Sequence, residues 1–244
     1  MEDYNTVVKT RYDKEDVTKR FQNQYALINP IGFHGLINIQ TMFFSFIKKL
    51  RIDGIDMNTI TVLDAGCGMG FWTRYWAELL YSNEKVTGFD LSETRINHAR
   101  TMSPSIKYSV SDILTYSSKD KFTIIFALDV FMHLKTEKDI ILGLENLSNL
   151  LDAKGYFLWY EPYAANHFVS KENAEGQGFS KKQMITLAEK AGLFPVWKYS
   201  MFKQYLGRYH TVYFYKKFPS WFIRLIELIP GKPGNIAIAF QKKR

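Results

Sequence analysis

Residues Thr61–Gly70, reading TVLDAGCGMG, restrict the folds open to this chain more than any other stretch. A short β-branched and apolar run, Ile60 to Leu63, leads into an acid, Asp64, and then into glycines at alternate positions, Gly66, Gly68 and Gly70. Behind them, Phe71–Tyr81 combines helix-forming residues with apolar positions at helical spacing. Strand, glycine turn and helix form the opening unit of an open parallel α/β sheet, in which ligands sit at the carboxyl ends of the strands. Glycine permits the sharp turn and lets a ligand approach the backbone, since no Cβ intervenes.

Strand and helix signals then alternate at βα spacing. Strands are expected at 61–64, 86–90, 106–110, 122–128, 156–160, about 194–199 and 235–241. Phe122–Leu128 is almost continuously apolar, as suits a strand covered on both faces. Helices are expected at about 72–80, from Ser92 or Glu93 towards Arg100, at about 137–151, and at 181–191, the last ended by Gly192. A turn, Asp152 to Gly155, is expected ahead of the fifth strand. Tyr25–Leu50 reads as one or two helices, broken near Asn29-Pro30 and Gly32, with the second starting at about Gly35. Near the end, Arg208–Lys217 fits strand or helix, and Trp221–Ile229 looks helical but is apolar on most sides. The expected fold is α/β: a doubly wound, mostly parallel seven-stranded sheet with helices on both faces. With no internal repeat or low-complexity linker, one domain is expected: a helical cap over 1–58, a core over 59–200, a capping insertion over 201–234 and a last strand over 235–244.

Composition adds limits. The 244 residues suffice for a sizeable core, and 46% hydrophobic with 23% charged residues is ordinary for a soluble globular chain. The single cysteine, Cys67, excludes an intrachain disulfide framework and a multi-cysteine metal site. The polar N-terminus is no secretory signal, and no apolar run reaches the ~20 residues that span a bilayer, so a cytoplasmic location without stable membrane insertion is expected. The net charge of +8 is uneven: residues 1–193 hold 22 Lys+Arg against 23 Asp+Glu, whereas 194–244 hold 10 against the single acid Glu227. That last region is also crowded with aromatics. It could meet an acidic substrate, a membrane face or nucleic acid, or be a solvated rim around aromatic core residues.

The loop does not suit a dinucleotide. In G-x-G-x-x-G the third glycine lets helix and strand pack closely, and Phe71 stands at that place here. No G-K-[ST] follows, so it is not a phosphate-gripping P-loop either. An acid-led short loop suits a ligand headed by an amino acid: Asp64 attracts an ammonium, and N–H groups at the helix start favour a carboxylate.

VLDAGCGMG resembles the first motif of class I S-adenosylmethionine (SAM)-dependent methyltransferases, and the resemblance extends over roughly residues 60–200. It implies SAM as cofactor. It also implies a ribose-binding role for Asp90 in VTGFDLS, a place near the adenine amino group for Asp112, and adenine contacts from Ile113. ALDVFMHL at Ala127–Leu134 is similar to the family's strand and apolar-His turn. Asp64, Gly66, Gly68, Asp90, Leu91, Asp112, Ile113 and Leu128 are thereby the cofactor-binding candidates; no metal ligands are expected. The rivals are a nicotinamide-dependent oxidoreductase, which would also place Asp90 on a ribose, and a non-catalytic binding protein on the same fold.

Methyl transfer from a sulfonium is an in-line displacement that needs positioning and, for many acceptors, removal of a proton. Attack through a cysteine after strand 4 is excluded because the only cysteine is in the loop. The strand-4 turn Leu128-Asp129-Val130-Phe131 lacks the prolines of the family that methylates exocyclic amino groups of DNA. Nucleic acid is therefore disfavoured. The expected acceptor is an O or N nucleophile on a small molecule, glycan or peptide, with an anionic one suiting the basic tail. His133 is the candidate base. Glu161, Tyr163 and His167 form a second polar group at the same edge, Asp129 is a further candidate acid, and Arg11, Tyr12, Arg20 and Tyr25 could point inward from a roof. Trp221–Ile229 is expected to pack on the sheet, with contact to a membrane or acyl chain as the alternative.

Overall fold

The computed structural model describes residues 4–14, 30–165, 168–169, 176–203, 217–219, 221–222, 225 and 228–242. Their helices are α1 (Tyr4–Lys14), α2 (Pro30–Ile52), α3 (Phe71–Leu80), α4 (Glu93–Met102), α5 (Glu137–Leu150) and α6 (Lys181–Lys190). The strands are β1 (Val62–Ala65), β2 (Val86–Asp90), β3 (Lys107–Val110), β4 (Phe122–Leu128), β5 (Leu151–Pro162), β6 (Phe168–Val169), β7 (Gly176–Gln177), β8 (Leu193–Lys203) and β9 (Pro233–Lys242). Seven strands form one sheet in the order β3-β2-β1-β4-β5-β9-β8, and β6 pairs with β7 in a separate ribbon. The sheet is mixed, because β9 runs antiparallel to both β5 and β8.

Side-chain alternation along the strands decides the layering. Leu63, Ile125, Ala127, Phe157, Trp159, Ile236, Ile238 and Phe240 join one core, with Leu144 and Leu147 of α5 and Met184 and Leu187 of α6. Their sequence neighbours Val62, Ile124, Phe126, Tyr156, Leu158, Ala237 and Ala239 join the other, with Met42, Phe43, Phe46 and Leu50 of α2, Trp76 of α3 and Ile96 of α4. Period-two alternation in strands buried on both sides is what makes the strands read as unbroken apolar runs. Phe43 meets Trp76 at 5.3 Å and Phe126 at 5.5 Å between ring centroids, fastening α2 to the sheet. Each such aromatic contributes roughly 1.5–3 kcal/mol by leaving water.

The chain runs outward from β1 through β2 to β3, then returns to β4 on the other side of β1. The carboxyl ends of β1 and β4 therefore flank the switch point where open α/β sheets hold ligands. Lys203 of β8 pairs with Pro233 of β9, and Asn235 of β9 with Pro162 at the carboxyl end of β5. The connection 204–232 thus leaves from and returns to this same edge.

Several elements depart from expectation. Tyr4–Lys14 forms a helix that the polar N-terminal sequence did not announce, held by the buried Val8 and by polar contacts to α4. Helix α2 starts at Pro30, which is suited to a first turn because its missing N–H is not needed there, and it runs on through Gly32 and Gly35. The expected turn Asp152–Gly155 is instead the start of β5, where the register against β4 shifts between Phe122 and Ile124. A Cβ on Gly155 would lie 2.9 Å from the Phe122 carbonyl oxygen, so glycine fits the irregularity. The β6–β7 ribbon, two residues per strand, is too short to leave a pattern in the sequence. Residues 208–216, Arg20 and Tyr25 lie outside the described residues. In the 221–229 stretch, Trp221, Leu225, Leu228 and Ile229 are exposed rather than packed on the sheet.

Candidate active site

The glycine turn is shaped by what lies on either side of it. Gly66, Gly68 and Gly70 have φ of 77°, 54° and 73°, in the left-handed region that a Cβ disfavours. The chain folds back so that the Gly66 and Cys67 N–H groups both donate to the Phe89 carbonyl, at 2.8 and 2.9 Å. A Cβ on Gly66 would stand 2.4 Å from Val130 Cγ2, so the β1 loop presses directly on the turn after β4.

Asp90, at the end of β2, ties this loop to the next turn. One carboxyl oxygen accepts from the Gly68 N–H at 2.8 Å and the other from the Ser92 N–H at 2.9 Å. Burial pushes its pKa upward, while Arg95 and the two N–H groups pull it down. Ser92 caps α4 by accepting from the Arg95 N–H, and its hydroxyl donates to Asp13 at 2.5 Å. Asp64 is buried in β1, where the Thr73 hydroxyl of α3 donates to it at 2.6 Å. Burial, reinforced by the charge on Asp90, pushes its pKa up to about 7 against the pull of Thr73. Two acids whose charge the surroundings disfavour leave the loop suited to a cationic ligand head.

At the end of β3, Asp112 caps a turn by accepting from the Leu114 N–H at 2.9 Å. Ile113 is buried, and the Asn146 side chain donates to its carbonyl at 2.9 Å. Phe89 and Tyr116 stack nearby at 4.0 Å between centroids.

Leu128, the last residue of β4, is partly buried, and Asp129 beyond it takes φ 57°, with its N–H donating to the Tyr160 carbonyl at 3.0 Å. A 3-10 turn, Phe131–His133, follows. Glu161 does not face an acceptor. It points into the core, accepting from the Phe131 N–H at 2.8 Å and from Trp159 Nε1–H at 3.0 Å. Burial and the adjacent Asp129 charge push its carboxyl well above the ordinary range, and those N–H donors pull the other way. Its work is to fix the turn that carries His133. Tyr163 packs against the core and bridges to Phe179, and His167 lies outside the described residues.

His133 meets α1. Tyr12 Oη and His133 Nε2 lie 2.8 Å apart in a hydrogen bond, with the rings edge to face. The Arg95 guanidinium sits 4.0 Å over the Tyr12 ring. Helix α1 thus lies across the carboxyl edge, joined to β2's turn through Asp13 and to β4's turn through Tyr12. The structure brings all eight loop and strand-end candidates to the carboxyl ends of β1–β4. Thr73, Asp13 and Arg95, which no sequence motif marks, join the same network of contacts, as does Ser92. Thr73 carries no local signal, and Asp13 gains meaning only from a contact 79 residues away in sequence.

A profile of a methyltransferase-domain family matches residues 62–155, the span from β1 into β5. Over that span the chain is similar to a methyltransferase domain. Its fold is similar to that of magnesium protoporphyrin IX methyltransferase from Synechocystis PCC 6803 with bound SAM, at TM-score 0.64 and 16% identity over 99% of each chain. It is also similar to the N-methyltransferase NodS from Bradyrhizobium japonicum WM9 in complex with S-adenosylhomocysteine, at TM-score 0.62 and 15% identity over 99% of this chain and 100% of that one. A third is the O-methyltransferase of a trans-AT polyketide synthase from Brevibacillus brevis, at TM-score 0.64 and 17% identity over 94% and 80% of the two chains.

The residues at this edge fit SAM: two acids whose charge their surroundings disfavour would be relieved by a ligand carrying an ammonium and a sulfonium, and no P-loop lysine is present for a phosphate. Asp64 gives the fit a pH signature. Its folded-state pKa lies above the ordinary 3.8, so its stability contribution is present below that value and is lost as pH rises through about 7. A bound cation favours the ionised form. SAM affinity measured by calorimetry is therefore expected to rise roughly tenfold between pH 6 and pH 8, and the slope to vanish in Asp64→Asn. A flat profile in the parent protein would contradict this role.

Proposed function

We propose that the chain transfers a methyl group from SAM to an O or N nucleophile of a small-molecule, glycan or peptide acceptor, releasing S-adenosylhomocysteine. The observation that carries this reading is the Tyr12–His133 hydrogen bond at the same sheet edge as Asp64 and Asp90. When bound, SAM supplies an electrophilic methyl on its sulfonium. In this reading Asp64 and the glycine-loop N–H groups hold its amino-acid head. Asp90 and Leu91 hold the ribose, Asp112 and Ile113 the adenine, and Leu128 flanks the cofactor beside β4.

In the proposed tautomer, His133 Nε2 accepts the Tyr12 hydroxyl proton. An acceptor O–H or N–H set against the Tyr12 oxygen passes its proton there as the phenol proton moves to Nε2. The acceptor lone pair is then free to take the methyl, and the imidazolium returns the proton to water. Arg95 over the Tyr12 ring favours the phenolate character that builds up during this exchange. Glu161 keeps the turn from shifting. In-line displacement requires this positioning, because small errors in approach cost large factors in rate.

The chain acts in this reading as one unit, with residues 1–58 and 201–234 covering the acceptor side of the 59–200 core. Neighbouring folds include enzymes named for a porphyrin and for a polyketide synthase, which supports a small organic acceptor. The test is transfer from methyl-labelled SAM across a panel of hydroxyl, carboxyl and amine acceptors, read as S-adenosylhomocysteine formed. Acceptor-dependent turnover is expected. Stabilisation by NAD in place of SAM, or SAM binding with no product across the panel, would favour the oxidoreductase or the non-catalytic reading.

A further inference from the structure

The connection between β8 and β9 presents apolar side chains where a globular chain ordinarily hides them. Phe218, Trp221, Leu225, Leu228 and Ile229 are 38%, 61%, 52%, 77% and 54% exposed. Counted from Phe218 they fall at steps of three, seven, ten and eleven, the spacing of one helical stripe. The backbone is helical at Lys217, Trp221, Phe222 and Leu225, and it bends or turns at Phe218, Leu228 and Ile229. Phe222, by contrast, is only partly exposed, stacking on Phe218 at 4.9 Å and meeting Trp221 edge-on at 5.9 Å.

Lys216, Lys217, Arg224 and Lys232 share this stretch with one acid, Glu227, and the whole region 194–244 is similarly basic. We propose that this ridge docks the protein on the surface of an anionic lipid bilayer, with Trp221, Leu225 and Leu228 entering the headgroup boundary.

Charge selects the bilayer over other occupants. A two-fold contact between copies would set the same basic stretch against itself, so like charges would meet. A bilayer interface accepts aromatic and aliphatic side chains and attracts Lys and Arg at the same time. Among the described residues no helix is long and apolar enough to cross a membrane, so the association is peripheral. Topology adds a consequence that rests on the proposed methyl transfer. The ridge lies in the connection that leaves and rejoins the sheet at the carboxyl edge, so a docked bilayer adjoins the acceptor side and suits an acceptor carried in it.

The test is co-sedimentation of the full chain with vesicles of phosphatidylcholine alone and of phosphatidylcholine with about 30% phosphatidylglycerol, a composition that sets the surface charge. Binding to the anionic vesicles is expected to exceed binding to the neutral ones and to weaken at about 0.5 M salt, where screening is short-ranged. The double variant Trp221→Glu, Leu225→Glu is expected to bind them at least about tenfold less, since it removes two apolar anchors and adds two repelled charges. Its thermal stabilisation by SAM should match the parent's, which separates loss of docking from loss of fold or of cofactor binding. Three results would overturn the proposal: no sedimentation with anionic vesicles, equal binding to neutral ones, or binding that the double variant retains. Light scattering that shows a dimer dissolved by the same substitutions would assign the ridge to a second copy instead.

Discussion

Replacing Asp90 with alanine is expected to weaken SAM binding by at least about 100-fold while leaving the chain folded. The carboxylate accepts from Gly68 and Ser92 at 2.8 and 2.9 Å, so it both shapes the glycine turn and fixes the turn into α4. In the proposed role the carboxylate also accepts from the two ribose hydroxyls; hydrogen bonds to charged groups are worth about 1.5–3 kcal/mol each, and losing those two on binding corresponds to roughly that factor or more. The apo protein is expected to tolerate the change, because burial already disfavours the charge that Asp90 carries and removing the group relieves that penalty. Calorimetry measures the affinity, and circular dichroism on heating reports the fold. Asn at the same position, which keeps one acceptor oxygen, should fall between the two. Unchanged affinity in the alanine variant would remove the ribose role and with it the main argument for this cofactor.

The parts of this site that were legible in the sequence are those built from neighbours in the chain. The glycine spacing, the apolar run of β4 and the acids at or two residues past a strand end all follow from local rules, and they place the loop, Asp90 and Asp112 on one edge. What stayed hidden was built across long separations. Helix α1 buries little apolar surface, and its contacts reach Ser92 and His133, so no periodicity announces it. The start of β5 reads as a turn because Asp152, Ala153 and Lys154 are polar or small; in the structure they are the exposed or partly exposed bulged end of the strand. Glu161 was readable in principle. It is two residues from Trp159, and the strand period puts both on one face, that of the core. An acid in such a place is held by donors instead of meeting an acceptor.

That arrangement bears on how the turn after β4 works. Glu161 is kept inside by N–H donors from Phe131 and Trp159, and Gly66 leaves Val130 the space it needs. The turn is therefore set by the loop on one side and by a buried carboxyl on the other, and His133 is presented from a backbone with little freedom. The cofactor loop and the candidate base are in this way parts of one packed unit.

His133→Ala is accordingly expected to lower kcat by about 100-fold or more, the scale of a lost general base, with SAM affinity near that of the parent. The separation is possible because the His133 ring meets Tyr12 of α1, whereas Asp90 is tied to Gly68 and Ser92 and Asp64 to Thr73. Tyr12→Phe removes the shared proton but leaves the imidazole and the Arg95 stacking partner in place. Its kcat is expected to fall by about tenfold, less than the histidine variant, because water can reach Nε2 in the space of the hydroxyl. The two losses should not add in the double variant, since residues that work as a unit are lost together. The pH profile gives a second readout: the acidic limb of kcat is expected to disappear with His133, because the neutral imidazole is the form that takes the proton. A purely structural histidine would leave the limb in place and would lower stability and SAM affinity together as α1 loosened. Full turnover in His133→Ala would reduce the Tyr12 contact to a clamp for α1 and would move the search for the base to Asp129, the other polar side chain at the end of β4.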